Sequence, residues 1–213
     1  MLFRSPELPG LLAALAEATA GAVALVSGRG IGELDGLVAP ARVAASGTHG
    51  AELRRGPAEA IEVLFRPDGL AAPIAACEAL AAEIPGLDIE IKHLTFVLHF
   101  HRRREREAEI VDFCRRLCAD RPDLVPALGH GLVEFKPAGG DKGVGIARLM
   151  ERAPFAGRRP VFLGDDIPDE AGFALVDRLG GVSIRVGAGE SGARHRLADP
   201  AAVRAWLAGL LAA

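Results

Sequence analysis

Apolar runs and helical periods alternate at both ends of this chain. The stretch SPELPGLLAALAEATA at 5–20 opens with a serine and a proline and carries leucines and alanines at helical spacing, so it predicts a helix. AVALVS at 22–27 follows as a buried strand, 30–38 as a short helix and RVAASG at 42–47 as a small strand. Toward the other end, DKGVGIARLMERA (141–153) predicts a helix, RPVFLGDD (159–166) a strand ending in acids, and PDEAGFALVDRLG (168–180) a helix opening on proline. GVSIRVG (181–187) is again a strand, and DPAAVRAWLAGLLAA (199–213) a closing helix. Strand and helix in alternation imply an α/β fold, a Rossmann-like parallel sheet covered by helices whose ligands gather at the carboxyl ends of the strands.

The middle of the chain has another texture. EAIEVLF (59–65), LDIEIKHLTFVLHFHR (87–102) and GLVEFKP (131–137) alternate apolar and polar positions, as antiparallel strands with one wet face do. Two amphipathic helices, 70–84 and 103–120, lie between them, the second opening on the solvated charge run RRREREAE. The expectation is a small α+β domain at 53–137 inserted into an α/β core formed by 1–52 and 138–213, with the second crossing at PAGGD (137–141).

Composition narrows the partners. A net charge of −3 and an aromatic share of 5% provide neither a basic footprint nor stacking platforms, which argues against nucleic acid. No apolar run suggests a signal peptide or a membrane span, so a cytoplasmic monomer is expected. Three cysteines do not make a disulfide framework, and Cys114 and Cys118, four apart on one helix, are a poor zinc site without further ligands.

The chemistry concentrates in FLGDDIPDEAGF (162–173), where Asp165, Asp166, Asp169 and Glu170 occupy six positions behind an apolar strand. Carboxylates this close raise one another's pKa unless a cation sits among them, and a hard divalent ion such as Mg²⁺ is the natural one. The plainer alternative is a helix whose first turn is acidic because the dipole favours it. SGR at 27–29 follows another buried strand and offers the Ser27 hydroxyl, the Gly28 amide and the Arg29 cation, a combination suited to phosphate, though Ser-Gly turns are also common. Lys142 opens a helix, where its ammonium and the free helix amides can meet one anion; the alternative is an ordinary surface lysine.

Taken in order, VSGR (26–29), GTHGAELR (47–54), IEIKHLTFVLHFHR (89–102), GLVEFKPAGGDKG (131–143) and FLGDDIPDEAGF (162–173) resemble the haloacid dehalogenase superfamily of phosphatases, and more narrowly the trehalose-6-phosphate phosphatases. The resemblance implies hydrolysis of trehalose 6-phosphate, with Ser27 and Lys142 on the transferring phosphoryl group, Asp165 and Asp166 on Mg²⁺ and Asp169 supporting the metal. It makes the inserted domain a sugar-reading cap that closes over the substrate. Glu90 and Lys92 match the family's E-x-K pair, Glu134 the acid before K-P, and His49-Gly50 the HG near the join. The family's H-x-R reads His99-Phe100-His101 here, and a proline at 168 stands where threonine is usual. The His101 departure leaves room for a different sugar phosphate.

The family's nucleophile and general acid lie in a D-x-D-G-T pattern on a strand of their own. No D-x-D occurs in these 213 residues. The expectation is therefore that the true start lies upstream and that the chain as written turns over little; the alternatives are a catalytically inactive sugar-phosphate-binding or regulatory module, and a poorly folding fragment.

Overall fold

The structure, a computed structural model, describes residues 5–212. In chain order it comprises α1 (Leu8–Ala18), β1 (Ala24–Val26), α2 (Ile31–Val38), β2 (Ala44–Gly47), β3 (Glu52–Arg54), β4 (Glu62–Val63), α3 (Ala71–Glu83), β5 (Asp88–Ile91) and β6 (Phe96–His99). There follow α4 (Glu107–Leu117), β7 (Leu124–Gly129), β8 (Leu132–Pro137), α5 (Lys142–Met150), β9 (Val161–Gly164), α6 (Glu170–Arg178), β10 (Val182–Val186), β11 (His195–Leu197) and α7 (Pro200–Leu211). The chain divides into two compact units, one made of the segments up to Leu64 and from Gly140 onward, the other Phe65–Gly139.

In the first unit β1 and β2 are parallel, and β3 and β4 extend that sheet antiparallel. β9, β10 and β11 form a second, parallel sheet. β1 and β9 are the end strands of their sheets and do not pair with each other. They nevertheless share one apolar cluster, in which Val26 of β1 packs against Ile146 of α5, Phe162 of β9 and Phe173 and Val176 of α6. Small residues allow this approach: a Cβ at Gly145 of α5 would lie 2.0 Å from the Ser46 hydroxyl of β2. The sequence run 59–65, whose period suggests a strand of the inserted domain, contributes β4, which pairs with β3 instead, with Glu62 opposite Leu53 and Val63 opposite Glu52. Period marks a half-wet strand without naming its neighbour. Here the neighbour is set by Leu64, which joins the Ala44, Leu53 and Leu149 cluster.

The second unit is a four-stranded antiparallel sheet, β5-β6-β8-β7, with α3 and α4 on one face. The run 87–102 turns back at residues 92–95 to give two strands, and β7 has no clear alternation in the sequence. Phe96 and Phe135, both fully buried, stack with centroids 4.2 Å apart beneath Cys77 of α3 and Ile110 and Cys114 of α4. Each contributes about 1.5–3 kcal/mol by burial alone. The register then sends Glu90, Val97 and Glu134 to the opposite face in one row. No helix among the described residues is long and apolar enough to cross a membrane.

Candidate functional site

Two groups of polar residues stand out, one in each unit.

In the first unit the ladder of β1 and β2 runs on past its last residues into the Ser27 turn. Ser27 N–H donates to Ser46 O at 2.9 Å, Thr48 N–H to Arg29 O at 2.9 Å and His49 N–H to Ser27 O at 3.0 Å. Ser27 Oγ accepts from Arg29 N–H at 3.1 Å. Arg29 itself pairs with Glu33 one turn into α2. Thr48 and His49 sit at φ 47° and 52°, in the left-handed region. That strained turn presses the imidazole of His49 against Gly28, where a Cβ would be 2.5 Å from Nε2. Gly50, at φ +90°, approaches the start of α5 so closely that a Cβ would lie 2.2 Å from the Asp141 carbonyl oxygen. His49 and Gly50 therefore form a joint between the Ser27 turn and the N-terminus of α5, a placement that the sequence motif alone does not convey.

Lys142 is the first residue of α5, after the N-cap Asp141, whose side chain accepts from Val144 N–H at 2.7 Å. A cation at this end opposes the helix dipole. Its side chain is 12% exposed and donates to Asp169 Oδ1 at 2.5 Å; Asp169 is 3% exposed at the side chain. The other oxygen of Asp169 accepts from the N–H groups of Asp165 and Asp166, both at 2.9 Å. Asp169 thus ties the acid loop after β9 to Lys142. Gly164 makes room for it, since a Cβ there would stand 2.4 Å from Asp169 Cγ. Asp166 caps Ile167 N–H at 2.8 Å, while the exposed Asp165 carboxylate has no protein partner among the described residues. No group of three or more His, Cys, Asp or Glu side chains poised for a metal occurs among the described residues. The arrangement is one free and one half-engaged carboxylate at a strand end, with Asp169 turned away toward Lys142. Two hard oxygen donors fit Mg²⁺, which completes its shell with water and phosphate.

Behind the Ser27 turn stand two buried charged residues that the pattern of the sequence does not reveal. Glu52 accepts from Ile31 N–H and Thr48 Oγ1. Arg54, 1% exposed, donates to Asp35 of α2 at 2.6 and 2.7 Å and to Val43 O at 2.7 Å. The hydrogen bond from Arg54 holds the Asp35 carboxyl below the usual carboxylate range, against the opposing pull of partial burial. Both residues lie in AELR, where apolar neighbours and a short strand give no sign that the charges point inward.

In the second unit the expected sugar-reading residues meet on the sheet face away from the helices. Glu90 Oε2 is 3.1 Å from His99 Nε2, and Lys92 Nζ is 3.7 Å from Glu90 Oε1 and 3.9 Å from Glu134 Oε1. His101, beyond the end of β6, sets its ring edge-on to His99 with centroids 6.2 Å apart. The residues in this group come from three strands and the turns beside them.

The family profile described as trehalose-phosphatase matches residues 2–202. The chain is 42% identical over 194 residues to the trehalose-6-phosphate phosphatase of Escherichia coli (strain K12), a match covering 91% of this chain and 73% of the relative. It is 38% identical over 193 residues to a probable trehalose-phosphate phosphatase of Sinorhizobium fredii, covering 85% of this chain and 69% of that one. Among solved structures, the C-terminal domain of the C. albicans trehalose-6-phosphate phosphatase superposes with a TM-score of 0.79 at 21% identity, over 98% of this chain and 83% of that one. A protein described as related to trehalose-6-phosphate phosphatase gives 0.75 at 22% identity, over 98% and 87%.

Proposed function

The chain belongs to the trehalose-phosphatase family, and on that footing we propose that it hydrolyses the phosphomonoester of trehalose 6-phosphate to trehalose and phosphate, as a cytoplasmic monomer. The observation that carries the reading for these residues is the Lys142–Asp169 pair at 2.5 Å, which joins a cation at a helix N-terminus to the acid loop 27 residues on. An ammonium held against the helix dipole, beside free amides, is an anion site in waiting.

In this reading Ser27 Oγ, the amide of Gly28, the Arg29 side chain and Lys142 Nζ bind the phosphoryl oxygens and stabilise the charge that develops on them. Asp165 and Asp166 hold Mg²⁺, which supplies Lewis-acid neutralisation of the phosphoryl group when bound. Glu90, Lys92, Glu134, His99 and His101 read the sugar, because carboxylates, ammonium and imidazole together match hydroxyls that both donate and accept. The reaction also needs an attacking carboxylate and a second acid for the leaving oxygen. The 213 residues contain no D-x-D.

Binding titrations test this in magnesium-containing buffer. Trehalose 6-phosphate is expected to bind more tightly than trehalose or orthophosphate alone, and Lys142→Ala to reduce the phosphate-bearing ligands to the level of trehalose. Equal binding of trehalose and its phosphate would overturn the reading. His101, in the place of the family's arginine, favours a second sugar phosphate as the alternative substrate; a phosphate-release panel separates the two. A chain that binds trehalose 6-phosphate with no turnover even when a D-x-D-G-T strand is appended would be a binding module.

A further inference from the structure

One buried acid of the first unit has no part in that chemistry. Glu52 on β3 is 5% exposed, and among the described residues it has no ion pair. Its Oε2 accepts from Ile31 N–H at 2.9 Å and from Thr48 Oγ1 at 3.0 Å. Ile31 is the first residue of α2, and the N-cap, Gly30, has no side chain with which to cap it. The cap is delivered instead from a strand 21 residues further along the chain. The carboxylate is answered by a helix N-terminus, where the dipole favours an anion, and by one hydroxyl.

The same oxygen sits in a space cleared of side chains. A Cβ at Gly47 would lie 2.8 Å from it and one at Gly30 would lie 3.4 Å from it. It therefore grips both ends of a short circuit: Gly30–Ile31, which closes the Ser27 turn, and Thr48, which opens the left-handed turn whose His49 ring rests on Gly28. With the three backbone hydrogen bonds between 27–29 and 46–49, this makes the turn a closed frame.

We infer that Glu52 is the positioning residue of the phosphate turn, setting Ser27 and the Gly28 amide for the anion without touching it. The inference rests on the phosphate-binding reading proposed above. It has a signature of sign. Both donors fall on one oxygen, so the amide carbonyl of Glu52→Gln can accept both, while the negative charge near an arriving phosphate is removed. Glu52→Ala keeps neither acceptor and leaves two enclosed donors without a partner.

The test titrates inorganic phosphate, in magnesium-containing buffer, into the full chain and its Glu52→Gln, Glu52→Ala and Thr48→Val variants, with a thermal melt of each. Glu52→Gln is expected to bind phosphate as tightly as the parent or a few-fold more tightly, Glu52→Ala about tenfold more weakly, and Thr48→Val about threefold more weakly. An acid with only a fold-keeping role would lower the melting temperature in Gln and Ala alike and leave the phosphate affinity of the folded protein unchanged, which would overturn the inference. Should Glu52→Ala not fold, the Gln and Val variants decide: a Val variant equal to the parent, or a Gln variant tenfold weaker, overturns it. A parent chain that binds no phosphate overturns the functional reading first, and this inference with it.

Discussion

Breaking the Lys142–Asp169 pair from each side, and from both, measures how firmly the acid loop is tied to α5. At 2.5 Å, unit charges in an effective dielectric of about 20 attract by roughly 6–7 kcal/mol. Withdrawing both ions from water offsets most of that, because the side chains are only 12% and 3% exposed. What remains is the value of a charge-assisted hydrogen bond, about 2 kcal/mol. Asp169→Asn turns an amide NH₂ toward the ammonium and is expected to cost about 3 kcal/mol. Lys142→Met is expected to cost less, about 1–2 kcal/mol, because the carboxylate keeps its two backbone donors and the helix loses an unfavourable N-terminal cation. The double variant should fall short of the sum by about 2 kcal/mol. Urea unfolding followed by the fluorescence of Trp206, the single tryptophan and part of α7, reports on the first unit alone. A coupling below about 0.5 kcal/mol would show the two groups to be independent and would remove the structural link between the motifs.

The joint at Gly50 is equally open to test: Gly50→Ala places a Cβ 2.2 Å from the Asp141 carbonyl at φ +90° and should cost about 2 kcal/mol or more, whereas Gly157→Ala, with positive φ and nothing within 4 Å, should cost only about 1 kcal/mol. Equal melting temperatures would sink the argument. The Asp35 carboxyl, held below its ordinary value by Arg54, stabilises the fold fully above the unfolded value of about 3.9 and loses that contribution as the pH falls through the folded value. Asp35→Asn should therefore lose less stability than the parent between about pH 5 and 2, and parallel acid-unfolding curves would contradict this. Burial pushes the Cys77 and Cys114 thiols up to about 12, so at pH 8 an aromatic disulfide reagent should leave both untouched in the native protein and titrate all three cysteines in urea. Rapid release of two or more equivalents from the native chain would count against the buried assignment.

Much of the fold was legible because its buried strands are short apolar runs with sharp exits. AVALVS and VFLG end on Ser-Gly and Gly-Asp, and those exits are where Ser27 and Asp165 stand. The row of Glu90 and Glu134 was legible for another reason: a period of two puts alternate residues on one face, and the register brings them together. β4 and β7 were harder. β4 is two residues long and finds its partner through Leu64, a long-range choice, and β7 carries a proline and no clean alternation. Glu52 and Arg54 were hidden because a charged residue within a three-residue strand reads as solvent-facing. Only the glycines at 30 and 47 and the helix end at Ile31 disclose that the carboxylate turns inward.

If the proposed sugar-reading role holds, the charges on the sheet face of the second unit away from its helices have a consequence for selectivity. Glu90 and His99 already stand at hydrogen-bond distance, 3.1 Å, and Lys92 lies 3.7 Å from Glu90 and 3.9 Å from Glu134. On the proposed reading, a hydroxyl that arrives at Glu90 or His99 displaces the other, so that contact contributes only the difference between two hydrogen bonds, whereas Lys92 stands beyond hydrogen-bond reach of both carboxylates. On that reading a neutral disaccharide is expected to bind there more weakly than its phosphate. A sugar lacking one hydroxyl would separate a charged group from its neighbour and supply nothing in return. Such a face would discriminate by the penalty of misfit more than by the strength of fit.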